Sequence, residues 1–173
     1  MSLDDIAEGC GLAREYRIAA VLVRPCDVAS AVRWMEGSGV SVAAAVNYPY
    51  GNSTTASKLY EGRDLLRQGA RELDFVLNPA SMRSRQFPHV ETELMQIAKS
   101  CQEEGALLKV VFNNRFLNDD LKLIATKIAK RVEAAIISLD NTETDLALLK
   151  PIARDVIKFK CAGPVDTLEQ ARV

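Results

Sequence analysis

The sequence offers little that would commit it to a metal, a membrane or a nucleic acid. It has one histidine, His89, and four scattered cysteines, Cys10, Cys26, Cys101 and Cys161. No two cysteines form a C-x-x-C pair, so no metal site is expected. No apolar run nears the roughly 20 residues that span a bilayer. The opening Met1-Ser2-Leu3-Asp4-Asp5 also lacks the basic-then-apolar order of a secretory signal. A soluble, cytoplasmic protein with no membrane partner and with reduced, mostly buried thiols is the expectation. Neither sign of charge dominates: Lys and Arg number 22 against 23 Asp and Glu. Without a basic stretch to grip a phosphate backbone, no nucleic-acid partner is expected. Glycine is missing where a nucleotide-binding sheet would need it, because the first apolar run leads into Val23-Arg24-Pro25-Cys26-Asp27.

What the chain does have is a repeating alternation. Short β-rich runs, Ile18 to Val23, Val40 to Asn47, Glu72 to Leu77, Leu107 to Phe112, Ala134 to Ile137 and Val156 to Lys160, are separated by helical segments. The helices are read over Leu3 to Tyr16, Asp27 to Gly37, from a cap at Ser53 or Thr54 to Gln68, Pro88 to Gly105, Asn118 to Val132 and Thr142 to Arg154. Strands joined by helical crossovers pair in parallel. At 173 residues, one α/β domain covering 1–173 is expected. Periodicity alone leaves a doubly wound sheet and a closed barrel open, and a full eight-stranded barrel usually takes about 250 residues.

Several strands carry charges where an apolar residue would be less costly. Period-two alternation puts Asp74 on one face with Glu72, and Lys158 on one face with Lys160, while Lys109 shares its face with Leu107 and Val111. If these faces turn inward, a carboxylate and two or three amines meet in a confined space, where each must find a partner or shift its pKa. Amines so placed suit attack on a carbonyl to form a Schiff base, with a carboxylate moving protons. A structural Asp-Lys pair tying neighbouring strands is the alternative.

Five blocks carry a resemblance: Ala19 to Pro25, Val46-Asn47-Tyr48-Pro49-Tyr50-Gly51-Asn52, Gly69 to Val76, Leu107 to Val111, and Phe159-Lys160-Cys161-Ala162-Gly163. Their order and spacing resemble those of the deoxyribose-phosphate aldolases, which split 2-deoxyribose 5-phosphate into acetaldehyde and glyceraldehyde 3-phosphate without metal. The resemblance implies a (β/α) barrel of the TIM type, no cofactor, and a small sugar phosphate or aldehyde as partner. It places Asp74 on the family's proton-relay aspartate, Lys160 on its second active-site lysine and Lys109 on a lysine lining the barrel. Asn47, Asn113, Ser138 and Gly163 are the expected substrate-binding positions.

The chain also departs from the pattern. The family's Schiff-base lysine lies in a Lys-Thr-Ser-Thr-Gly stretch that here reads Ile137-Ser138-Leu139-Asp140-Asn141, so Ile137 stands at the lysine's place. Gly163-Pro164 replaces the Gly-Gly anion cradle, removing one N–H donor. The family's first and last strands are not found, so about six strands are expected, with exposed edges that favour a homo-oligomer. Three readings stay open: an active aldolase with a displaced nucleophile, Lys158 or Lys109; a non-catalytic member that binds a ligand or another protein; and a core-only domain of a larger barrel or an incompletely represented chain.

Overall fold

The computed structural model describes residues 2–140 and 142–161. Six strands form one all-parallel sheet in the order of the chain: β1 (Ala20–Val23), β2 (Ser41–Val46), β3 (Glu72–Val76), β4 (Leu107–Val111), β5 (Ile136–Leu139) and β6 (Lys158–Cys161). Sequential parallel order requires a crossover at each step. These are supplied by α2 (Val28–Met35), α3 (Thr55–Arg67), the short α4 (Pro79–Arg83) with α5 (Phe87–Glu103), α6 (Asp119–Arg131) and α7 (Thr142–Ala153), while α1 (Leu3–Tyr16) precedes β1. Side-chain caps fix several starts. Ser2 and Asp5 form a reciprocal capping box on α1, and the Thr54 and Asn118 side chains accept N–H bonds from Ser57 and Leu121 at the heads of α3 and α6.

The sheet is curled, since β1 and β6, at opposite ends of the strand order, line one cavity. Each strand's alternation assigns its faces. Val42, Ala44 and Val46, Leu73 and Phe75, Leu108 and Val110, and Ile137 and Leu139 join the helices in one hydrophobic core. The opposite, concave face carries the charges. The result is a curled, incomplete (β/α) barrel of the expected TIM type. Among the described residues, no helix is long and apolar enough to cross a membrane.

One sequence expectation changes, and one element is added. The fifth strand begins at Ile136 and not Ala134, because α6 closes through Glu133 in a left-handed conformation (φ 58) and the Ala134 N–H donates back to the Ala129 carbonyl. The short helix α4, capped by Asn78, is an added element, falling between the expected third strand and the helix from Pro88, where none is expected. In keeping with the expectation of mostly buried thiols, Cys10 and Cys101 are buried, while Cys26 is exposed. Burial pushes the Cys101 thiol up to about 12, so its reactive thiolate is scarce at neutral pH. Native iodoacetamide labelling should therefore modify Cys26 while sparing Cys10 and Cys101, as read by peptide mass mapping.

Candidate active site

The register aligns the ionisable groups. Asp74 of β3 pairs with Lys109 of β4, Lys109 with Ile136 of β5, and Ile136 with Lys158 of β6. One layer nearer the C-terminal ends of the strands, Val111 pairs with Ser138, and Ser138 with Lys160. A cavity of about 340 Å³ opens on this concave face, bounded by Ala20 and Leu22 of β1 and by Lys158 and Lys160 of β6, with Glu72 and Lys109 in its wall.

Asp74, Glu72 and Lys109 are all buried. The Lys109 ammonium donates to Asp74 Oδ1 at 2.8 Å and also to Glu72 Oε1. Lys160 Nζ lies 3.9 Å from the other oxygen, Asp74 Oδ2, and its side chain is 44% exposed. The two Asp74 oxygens thus have separate tasks. One is held by a buried cation, and the other faces an amine that solvent can reach. Burial disfavours the Lys109 ammonium, but hydrogen bonds and charge from Asp74 and Glu72 outweigh this and raise its pKa above the ordinary 10.5.

The raised value has a consequence for stability. A lysine with its folded pKa above its unfolded one stabilises the fold fully below the unfolded value, and that contribution is lost as pH climbs through the folded one. The difference in unfolding free energy between wild type and Lys109→Met should be level in the weakly alkaline range just below about pH 10, above the titration of the carboxylates. Beyond the unfolded pKa it should shrink by about 1.4 kcal/mol per pH unit, as measured by urea titrations across alkaline pH.

Asn47 and Asn113 stand at the C-terminal ends of β2 and β4, but their side chains are engaged in loop structure. Asn47 accepts the Ser53 N–H at 2.9 Å, and its amide donates to the Ser53 hydroxyl. Asn113 Nδ2 donates to the Pro49 carbonyl at 3.1 Å. Gly51 lies so close to the end of β3 that a Cβ there would sit 2.6 Å from the Val76 and Leu77 carbonyl oxygens. Together these contacts hold the Asn47–Asn52 loop across the strand ends, where barrel active sites open. Gly163 and Pro164 lie outside the described residues.

Ile137, expected at the place of the family's imine-forming lysine, faces away from the charged site. Ile137 pairs with Val110 and Phe159, has no exposed surface and belongs to the helix-facing core. A side chain at 137 cannot reach Asp74, because a one-residue shift along a strand reverses its face. The inward residue beside Lys160 is Ser138, which is buried. A serine, like an isoleucine, forms no imine, so neither position 137 nor position 138 supplies the nucleophile.

A second buried ion pair was not read from the sequence. Lys58 of α3 has no exposed surface and donates to Glu93 Oε2 of α5 at 2.9 Å and to the Val76 carbonyl at 3.1 Å. It also lies 4.8 Å from the Phe75 ring centre. Thr55 donates to the other Glu93 oxygen. Burial lowers the Lys58 pKa against the opposing pull of Glu93. The signal was present, as Lys58, Gly62 and Leu65 share the helix face at i, i+4 and i+7.

Comparison with known proteins identifies the family. No family model matches the chain. The deoxyribose-phosphate aldolase of Bacteroides thetaiotaomicron is 31% identical over 97% of this chain and 74% of its own length. That of Treponema denticola is 32% identical over 96% of this chain and 81% of its own. Among solved structures, the aldolase QR15 superposes with a TM-score of 0.89 at 29% identity, over 99% of this chain and 79% of its own. The deoxyribose phosphate aldolase from Aeropyrum pernix, at 21% identity and a TM-score of 0.86, shares the fold over 99% of this chain and 75% of its own. With relatives at 31% and 32% identity over 97% and 96% of this chain, and the same fold in solved aldolases, the chain belongs to the deoxyribose-phosphate aldolase family.

Proposed function

We propose that the protein catalyses reversible aldol cleavage of 2-deoxyribose 5-phosphate, or of a closely related sugar phosphate, through an amine–carbonyl intermediate. The observation that carries this reading is Asp74, buried with one oxygen on Lys109 and the other 3.9 Å from Lys160. A carboxylate so divided can pass protons at one oxygen while the other stays fixed, which is the task of a general acid–base group. The relatives named above share this family's activity in their names. Ser138, Asn47, Asn113 and Gly163 remain the residues we assign to substrate binding. In this reading Asn47 and Asn113 act by holding the mouth loop.

Purified protein supplied with 2-deoxyribose 5-phosphate should release acetaldehyde, measured by reduction with alcohol dehydrogenase and NADH. A folded protein that releases none from this substrate or from related sugar phosphates would leave the non-catalytic alternative standing. We also propose a homo-oligomer. β1 and β6 each lack a second neighbour within the described sheet, leaving strand edges of the kind natural proteins pair or cover. A purely monomeric mass by light scattering at micromolar concentration would refute it.

A further inference from the structure

We infer that Lys160 is itself the imine-forming amine; this rests on the aldolase reading above. Three amines line the concave face among the described residues. Lys109 is excluded as a nucleophile because it is buried, bonded to two carboxylates and held as a cation. Lys158 sits one layer lower, in register with Ile136, and has no carboxylate within ion-pair distance among the described residues. It has no partner there to move protons for it. Lys160 combines what the reaction needs: an accessible amine, Asp74 Oδ2 at 3.9 Å, and a small neighbour in register.

That small neighbour decides the geometry. Facing Cα atoms on adjacent strands lie about 5 Å apart, so a lysine at 138 would fill the space over Lys160. A serine leaves that space for a substrate carbonyl and adds a hydroxyl that can hydrogen-bond the carbonyl oxygen.

The steps balance with no external oxidant or reductant. Asp74 Oδ2 takes a proton from the Lys160 ammonium, and the freed amine attacks the aldehyde carbon. The new C–N bond displaces the carbonyl π pair onto oxygen, which takes up two protons, one returned from Asp74 and one lost by the attacking nitrogen, and leaves as water. In the resulting iminium, Asp74 accepts the proton of the hydroxyl at C3 as the C2–C3 bond breaks. The bonding pair fills the iminium as an enamine, and the aldehyde product departs. Protonation of the enamine at C2 and hydrolysis of the imine return acetaldehyde and free Lys160.

The test is reductive trapping. Wild-type protein is incubated with 2-deoxyribose 5-phosphate and sodium cyanoborohydride, and the adduct is located by peptide mass spectrometry alongside the acetaldehyde assay. We expect a stoichiometric adduct on Lys160, absent from Lys160→Arg, with turnover of that variant reduced at least about 10³-fold. Because Lys160 is substantially exposed, the arginine variant should keep the wild-type circular dichroism spectrum. Turnover with the adduct on Lys158, Lys109 or any other residue, or with no adduct, would overturn the inference and leave the aldolase reading intact. An adduct on Lys160 without turnover would support the inference and count against the proposed reaction. No adduct and no turnover would remove both.

Discussion

Asp74→Asn should lower turnover of 2-deoxyribose 5-phosphate by about 10²- to 10⁴-fold, the usual span for loss of a positioned acid–base group. The amide is nearly the same size and still accepts a hydrogen bond from Lys109 through its oxygen, but it cannot carry a proton between Lys160 and the substrate. Lys109 keeps Glu72 as an anionic partner, so the fold should survive. This separates catalysis from the structural alternative. If Asp74 only ties β3 to β4, the substitution would move the unfolding midpoint and leave the rate per folded molecule unchanged. Both quantities are needed on the same preparation, the rate from acetaldehyde release and the midpoint from urea titration.

Lys58→Ala should cost about 3–5 kcal/mol of stability, because it leaves the Glu93 carboxylate buried without its cation. Against a typical total of about 5–15 kcal/mol, that is enough to unfold a marginal protein. The Val76 carbonyl at the end of β3 loses its side-chain donor in the same step. The paired replacement Lys58→Met with Glu93→Leu should recover most of the loss, since two apolar groups of similar volume leave no orphaned charge. Urea unfolding of both variants checks this. A single variant within about 1 kcal/mol of wild type would show that Glu93 finds another partner or takes up a proton.

By itself the sequence determined the alternation of strands and helices, and with it parallel pairing; it left a doubly wound sheet and a barrel both open until the family resemblance of its five blocks implied the barrel. Hydrophobic periodicity and capping residues are local, and they placed α1 at its observed bounds and β3 and β4 within one residue of theirs. Alternation also put Glu72 with Asp74, and Lys158 with Lys160, on shared faces, as the register confirms. What it could not determine was which residue meets which across strands. In the run Ala134-Ala135-Ile136-Ile137 every residue is apolar, so nothing local marks the inward face or the first strand residue. The left-handed Glu133 that ends α6 sets both, turning Ile137 toward the helices and Ser138 toward Lys160. A lysine on an otherwise amphipathic helix reads as solvated until a carboxylate 35 residues away closes over it, as Glu93 does over Lys58. The chemistry-bearing residue types were thus written in the chain. Their partners, and the choice of Lys160 over Lys109 as the accessible amine, were decided by tertiary packing, because burial and pairing are properties of neighbours that the local sequence does not specify.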